Sequence, residues 1–151
     1  MSLLTLRDEV VAFVKTTLGD DVTGVTTHDG RFDAGELKRW AQRAPTALVA
    51  LVSTKPAPES EIIPKLITVD LQWVTYLLTR DTVDGKRGAL AVELVEKLLR
   101  AVHRDLTWTD TDARQVLLNV RADNLYTGPL DQTGVSLWAV AWNQEYDLYS
   151  P

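Results

Sequence analysis

Between Thr5 and Leu18 the apolar residues Leu6, Val10, Val11, Phe13, Val14 and Leu18 recur at helical spacing. The pattern predicts a helix with one buried face, with Thr5 and Asp8 as a capping signal and Gly19 as its stop. Residues 19–33, GDDVTGVTTHDGRFD, hold four Asp, three Gly and three Thr around Val22 and Val25, which predicts a loop enclosing at most a short strand. A short helix is expected over Ala34–Arg43 with Leu37, Trp40 and Ala41 facing inward, closed by Ala44-Pro45.

The run TALVALVS, Thr46–Ser53, is continuously apolar and suits a strand buried on both faces. Lys55–Pro64 contains three prolines and reads as a connection. In LITVDLQWVTYLLT, residues 66–79, Ile67, Val69, Leu71 and Trp73 alternate with Thr68, Asp70 and Gln72, which predicts a long strand. Arg80–Gly88 breaks it. Ala89–Val102 then carries Leu90, Val92, Leu94, Val95, Leu98, Leu99 and Val102, the strongest helical pattern in the chain, supported by Glu93 and Lys97 four residues apart. After a polar stretch, strands are predicted over Arg114–Ala122 and Val135–Leu148, the second alternating Trp138, Val140 and Trp142 with Leu137, Ala139 and Ala141. A long-looped hairpin joins them.

The order helix, short helix, strand, strand, helix, strand, strand implies one α+β domain over residues 1–151. Its expected sheet is antiparallel or mixed, of four to five strands, with two to three helices packed on one face. At 151 residues such a domain buries roughly 70% of its unfolded surface, so it needs neither disulfide nor structural metal.

Composition narrows the chemistry. The absence of Cys removes thiolate nucleophiles, cysteine zinc sites and iron–sulfur centres, and fits a reducing compartment. With 16 Lys+Arg against 21 Asp+Glu the net charge is −5, without the basic footprint of a phosphate binder. The first ten residues, MSLLTLRDEV, lack the pattern of a signal peptide, and no run of 18 apolar residues occurs, so no membrane span is expected.

Local motifs give little. Asp29–Leu37 has the form of the second half of an EF-hand loop, with Gly30 at the turn and Glu36 six places on. The first half fails, because its ligand positions fall on Val25 and Thr27, and the stretch reads better as a turn into a helix capped by Asp33. His28 lies in the acidic loop, and His103 follows the long helix, where its dipole favours a cation. No Gly-x-Ser-x-Gly, HExxH, P-loop or dinucleotide fingerprint is present. Asp110 and Asp112 form a candidate carboxylate pair, for which a solvated turn is the plainer account.

Trp73, Tyr76, Trp138, Trp142 and Tyr146 all fall on the two long strands. The bland explanation is core. Because both faces of the last strand are apolar, one face is expected to be left over for another cover, and a homo-oligomeric interface is a natural one.

The segments GRFDAGELKRWAQRAPTALVAL, LQWVTYLLTR, DGKRGALAVELVEKLLRAV and GVSLWAVAWNQEY, in this order after an N-terminal helix, resemble the Gp37-like proteins of Mu-like phages and prophages. By fold these go with the tail terminators of long-tailed phages. The resemblance implies a single tail-terminator-like domain that assembles into a ring, usually a hexamer, in the tail or neck of the virion after assembly in the host cytoplasm. Its implied partners are other copies of itself, the tail tube protein and the head-side connector, with no cofactor, metal, active site or specific nucleic-acid binding. Acidic side chains lining the ring would let DNA pass without sticking. Exposure selects Arg80, Asp81, Lys86 and Arg87, and the aromatic argument selects Trp138, Trp142 and Tyr146, as contacts between subunits or with the tube. The alternatives are another neck or head-tail completion protein, or a small cytosolic enzyme or ligand-binding domain using the Asp110/Asp112 region.

Overall fold

A computed structural model describes residues 2–56, 66–83, 85–104, 113–125 and 134–149. Helix α1 spans Leu3–Leu18 and α2 spans Ala34–Ala41, with strand β1, Val25–Thr27, between them. Strands β2, Thr46–Pro56, and β3, Leu66–Arg80, lead to α3, Arg87–Arg104, and then to β4, Ala113–Asn124, and β5, Val135–Tyr149. The sheet runs β1-β2-β3-β5-β4, parallel between β1 and β2 and antiparallel elsewhere. This is the expected α+β class with a mixed five-stranded sheet.

The longest pairing joins β3 to β5 in unbroken register from Leu66↔Tyr149 to Arg80↔Val135. Paired residues point to the same face, so this register sorts the side chains of both strands together. Val69, Leu71, Trp73 and Leu77 of β3 share a face with Val140, Trp142 and Tyr146 of β5, and α1 and α3 cover them with Leu6, Val10, Phe13, Val14, Leu94, Leu98 and Val102. Trp73 and Trp142 stand directly opposite each other, both fully buried.

Two helices, α1 and α3, thus pack on one face as expected, and α2 adds cover on the second. Trp40 of α2 and Ala44 pack there against Leu48, Leu78, Val135 and Leu137. Further along, Val74, Ala139 and Ala141 cluster with Tyr76 and Leu125. Leu137, Ala139 and Ala141 keep 5, 8 and 4% of their surface exposed. The apolar surplus on β5 is therefore buried within the chain and leaves no open face for a neighbour at these three positions.

Capping follows local chemistry. Ser2, rather than Thr5, caps α1, its Oγ accepting from Thr5 N at 3.1 Å, because the helix begins two residues before the periodic pattern does. Gly19 closes it at φ +54, where a side chain would be strained. β2 continues beyond its buried run into Ser53–Pro56, and a bulge between Leu51 and Ser53 breaks its register with β3. β4 has two register shifts against β5, with Asn119 at φ +53. Asp110 and Asp112 lie outside the described residues.

The buried aromatic pair should dominate stability. Trp142→Ala is expected to cost about 3–5 kcal/mol in urea unfolding, whereas Leu4→Ala, at a side chain 59% exposed, should change it by less than about 0.5 kcal/mol.

Candidate functional site

The residues selected from the sequence separate into two groups. Trp142 and Tyr146 are fully buried under the chain's own helices, and Trp138 is half-buried against the same core. Trp142 and Tyr146 are thus core residues in this fold and present no surface to a subunit or tube. The reason is parity: the face of β5 that carries the aromatics is the face α1 and α3 cover.

Arg80, Asp81, Lys86 and Arg87 come together at the junction of β3 and α3. Asp81 Oδ1 accepts from the backbone N of Arg87 at 2.9 Å, and Thr79 Oγ1 donates to Arg87 O at 2.7 Å, so this end of the helix is tied to the end of the strand. Thr82 and Gly85 bridge the turn between them, leaving Val83 wholly exposed at its tip. The backbone bond from Arg87 holds the Asp81 carboxyl below its usual range against the opposing effect of desolvation, and the charges of Lys86 and Arg87 act in the same direction as the bond. Asp81 is therefore a helix cap, while Arg80 and Lys86 remain exposed cations.

Sequence reasoning passed over a second cluster around α2. His28, just past β1, has a nearly buried side chain, 4% exposed. Its Nδ1 accepts from Gly30 N at 2.9 Å, which assigns the proton to Nε2, 2.5 Å from Glu36 Oε1. The ring stacks on Phe32 at 4.2 Å and meets the edges of Trp40 and Tyr76. Gly30 makes the turn at φ +87, and a Cβ there would come within 3.0 Å of Val52 Cγ1, so glycine is needed both for conformation and for space. Asp33 Oδ1 accepts from Glu36 N at 2.7 Å and caps α2, as expected from the sequence.

Donor atoms of His28, Asp29 and Glu36 lie within 4.8 Å of one another, a spacing open to a metal. Their chemistry points inward instead. Glu36 Oε1 accepts the hydrogen bond from the imidazole Nε2, with Arg39 3.8 Å away, and Asp29 Oδ1 accepts from Arg31 N at 3.0 Å. The two carboxylates flank opposite nitrogens of one ring. The arrangement locks the loop into α2 and fits a structural account of the EF-hand-like spacing.

Arg39 and Arg43 guanidinium carbons stand 5.6 and 5.2 Å from the centroid of the Trp40 ring. Arg43 and Arg80 share with Trp40, Thr23, Thr26 and Gln42 a depression of about 360 Å³. A larger groove of about 590 Å³ runs between α3 and Asp21, walled by Pro45, Leu90 and Leu94 and crossed by the Lys97–Asp21 ion pair. Neither set of lining residues supplies a nucleophile with an adjacent base. His103 lies within the last turn of α3, not beyond it.

The geometry defines an α+β protein built around one mixed five-stranded sheet. The chain belongs to the Bacteriophage Mu Gp37 family, whose profile matches residues 2–147 of the 151. No curated protein matches it.

Two titrations test the site. Burial pushes the Tyr76 hydroxyl above its ordinary range, so its contribution to stability is complete below about pH 10 and is lost as pH rises through the folded value. Tyr76→Phe should accordingly remove a phenol that titrates above the ordinary range from the ultraviolet absorbance curve. Asp81 has the opposite sign. Its depressed carboxyl stabilises the fold above the ordinary aspartate range and loses that contribution as pH falls through the lower folded value. The stability difference between wild type and Asp81→Asn, followed by thermal unfolding, should shrink on acidification.

Proposed function

We propose that this chain is a tail terminator: a non-enzymatic virion subunit that forms a ring on the completed tail tube, stops its polymerisation and joins it to the head-side connector. The observation that carries the reading is the family match, which takes in residues 2–147. Consistent with a structural role, the cluster of His28, Asp29 and Glu36 is spent on internal hydrogen bonds that shape a loop. Termination then depends on surfaces. One ring face matches the tube end, and the other offers the next tube ring no equivalent.

Deletion of the gene in its phage tests the proposal by electron microscopy. Overlong tails or polytubes are expected, and complementation with the intact gene should return them to normal length. Normal-length tails lacking heads would overturn the terminator reading in favour of a head-tail completion protein.

A further inference from the structure

Three cations gather where α2 ends. Arg39 and Arg43 lie in and just past its last turn, where the helix dipole favours positive charge. Arg80 comes instead from the end of β3, and the dipole gives no account of it. Its place follows from parity: it stands opposite Val135 in the β3–β5 register, on the same face as Leu78, which is the face α2 covers.

Arg43 and Arg80 thereby share the depression of about 360 Å³ with Trp40, Thr26 and Gln42, and no carboxylate lines it among the described residues. Thr23 Oγ1 donates to the carbonyls of Arg43 and Pro45 at 2.7 and 3.0 Å, and Thr46 Oγ1 donates to Gly24 O at 3.1 Å. These bonds occupy main-chain oxygens that would otherwise repel an anion. The side chains of Arg43 and Arg80 donate no hydrogen bond and form no ion pair among the described residues, whereas Arg39 is 3.8 Å from Glu36. Arg43 rests 5.2 Å from the centroid of the Trp40 ring. A guanidinium against a ring face keeps its in-plane N–H donors for a planar oxyanion. Both arginines are set on elements that the fold has already fixed, which lowers the ordering cost of binding.

Two forked donors facing one hollow without a counter-charge match carboxylates. The surroundings favour a protein source over a nucleic acid. A duplex is gripped by cations spread along its phosphates on a basic surface, but this is one small hollow on a chain of net charge −5. Trp40, 8% exposed, offers no face on which a base could stack. A second copy is a poor match as well. Asp21, Glu96 and Asp123 are ion-paired with Lys97, Arg100 and Arg121, Asp33 and Asp81 cap helices, and Glu9, Glu145 and Asp147 have partners of their own. Asp8, Asp20 and Glu93 stand singly on α1, the turn after it and α3.

We propose that the Arg43/Arg80 depression is a docking site for an acidic peptide segment of a different protein, whose neighbouring Asp or Glu carboxylates accept from the two guanidiniums. The site goes beyond the terminator reading and does not depend on it.

The probe is a fluorescein-labelled tetraglutamate peptide, its anisotropy followed as the full chain is added. At about 50 mM salt binding should saturate, and at about 500 mM it should weaken as screening shortens the reach of the charges. Arg43→Gln/Arg80→Gln should lower the affinity at least about tenfold. Arg43→Lys/Arg80→Lys, which keeps the charge and loses the planar fork, should also bind more weakly than wild type. Lys15→Gln, at an exposed cation of α1 that does not line the depression, should bind as wild type does. Thermal unfolding midpoints close to wild type separate loss of the site from loss of the fold. Binding that fails to saturate, that survives the glutamine substitutions, or that falls equally with Lys15→Gln would overturn the proposal. So would two other occupants. Arginine-dependent binding of a short random-sequence DNA duplex in preference to the peptide would make the hollow a phosphate site. An Arg43/Arg80-dependent mass above 16.8 kDa in light scattering, without peptide binding, would seat a second copy there.

Discussion

The antiparallel pairing of β3 with β5 is the constraint from which the other features follow. Fifteen residues on each strand run in one uninterrupted register. Since a slip of one residue would exchange the two faces, this register decides which side chains meet α1 and α3 and which meet α2. Its centre is Trp73 opposite Trp142, large side chains whose burial supplies much of the core's area. The arrangement has a cost. The indole nitrogens of both have no hydrogen-bond partner among the described residues, a penalty of about 1–3 kcal/mol for each such group, against which the apolar area of the rings has to count.

Elements whose signal is local were legible before the fold was known. The alternation of Ile67 through Trp73, the helical spacing of apolar residues in α3 and the Asp33 cap are properties of neighbouring residues, and each element stands within a few positions of its expected bounds. Which face of β5 would be covered was not legible, because both parities are apolar and the decision is made by α1, more than a hundred residues away in sequence. That is why Trp142 and Tyr146 invite an interface reading and turn out to be core. Arg39, Trp40 and Arg43 were missed as a group for the converse reason. Their pattern looks like an ordinary amphipathic helix, and only the turn at Gly30 and the end of β3 bring Arg80 beside them.

Local chemistry on this chain also separates charges that hold it together from charges that face outward. Asp33, Asp81 and Glu36 are each used by a backbone amide or a buried imidazole. Arg43, Arg80 and Lys86 are exposed. A net charge of −5 describes neither population. The acids used in these internal bonds sit near the exposed cations, so that part of an acidic chain presents guanidinium groups beside Trp40.

The margins of the sheet carry a consequence of their own. β2 reaches its end through a bulge, a lysine and a proline, and β4 lies against β5 with two register breaks and a left-handed Asn119. Such irregular borders are poor templates for an incoming strand. Borders of this kind discourage edge-to-edge growth into continuous fibrils, a safeguard that costs the core nothing because it is built where the side chains already face solvent.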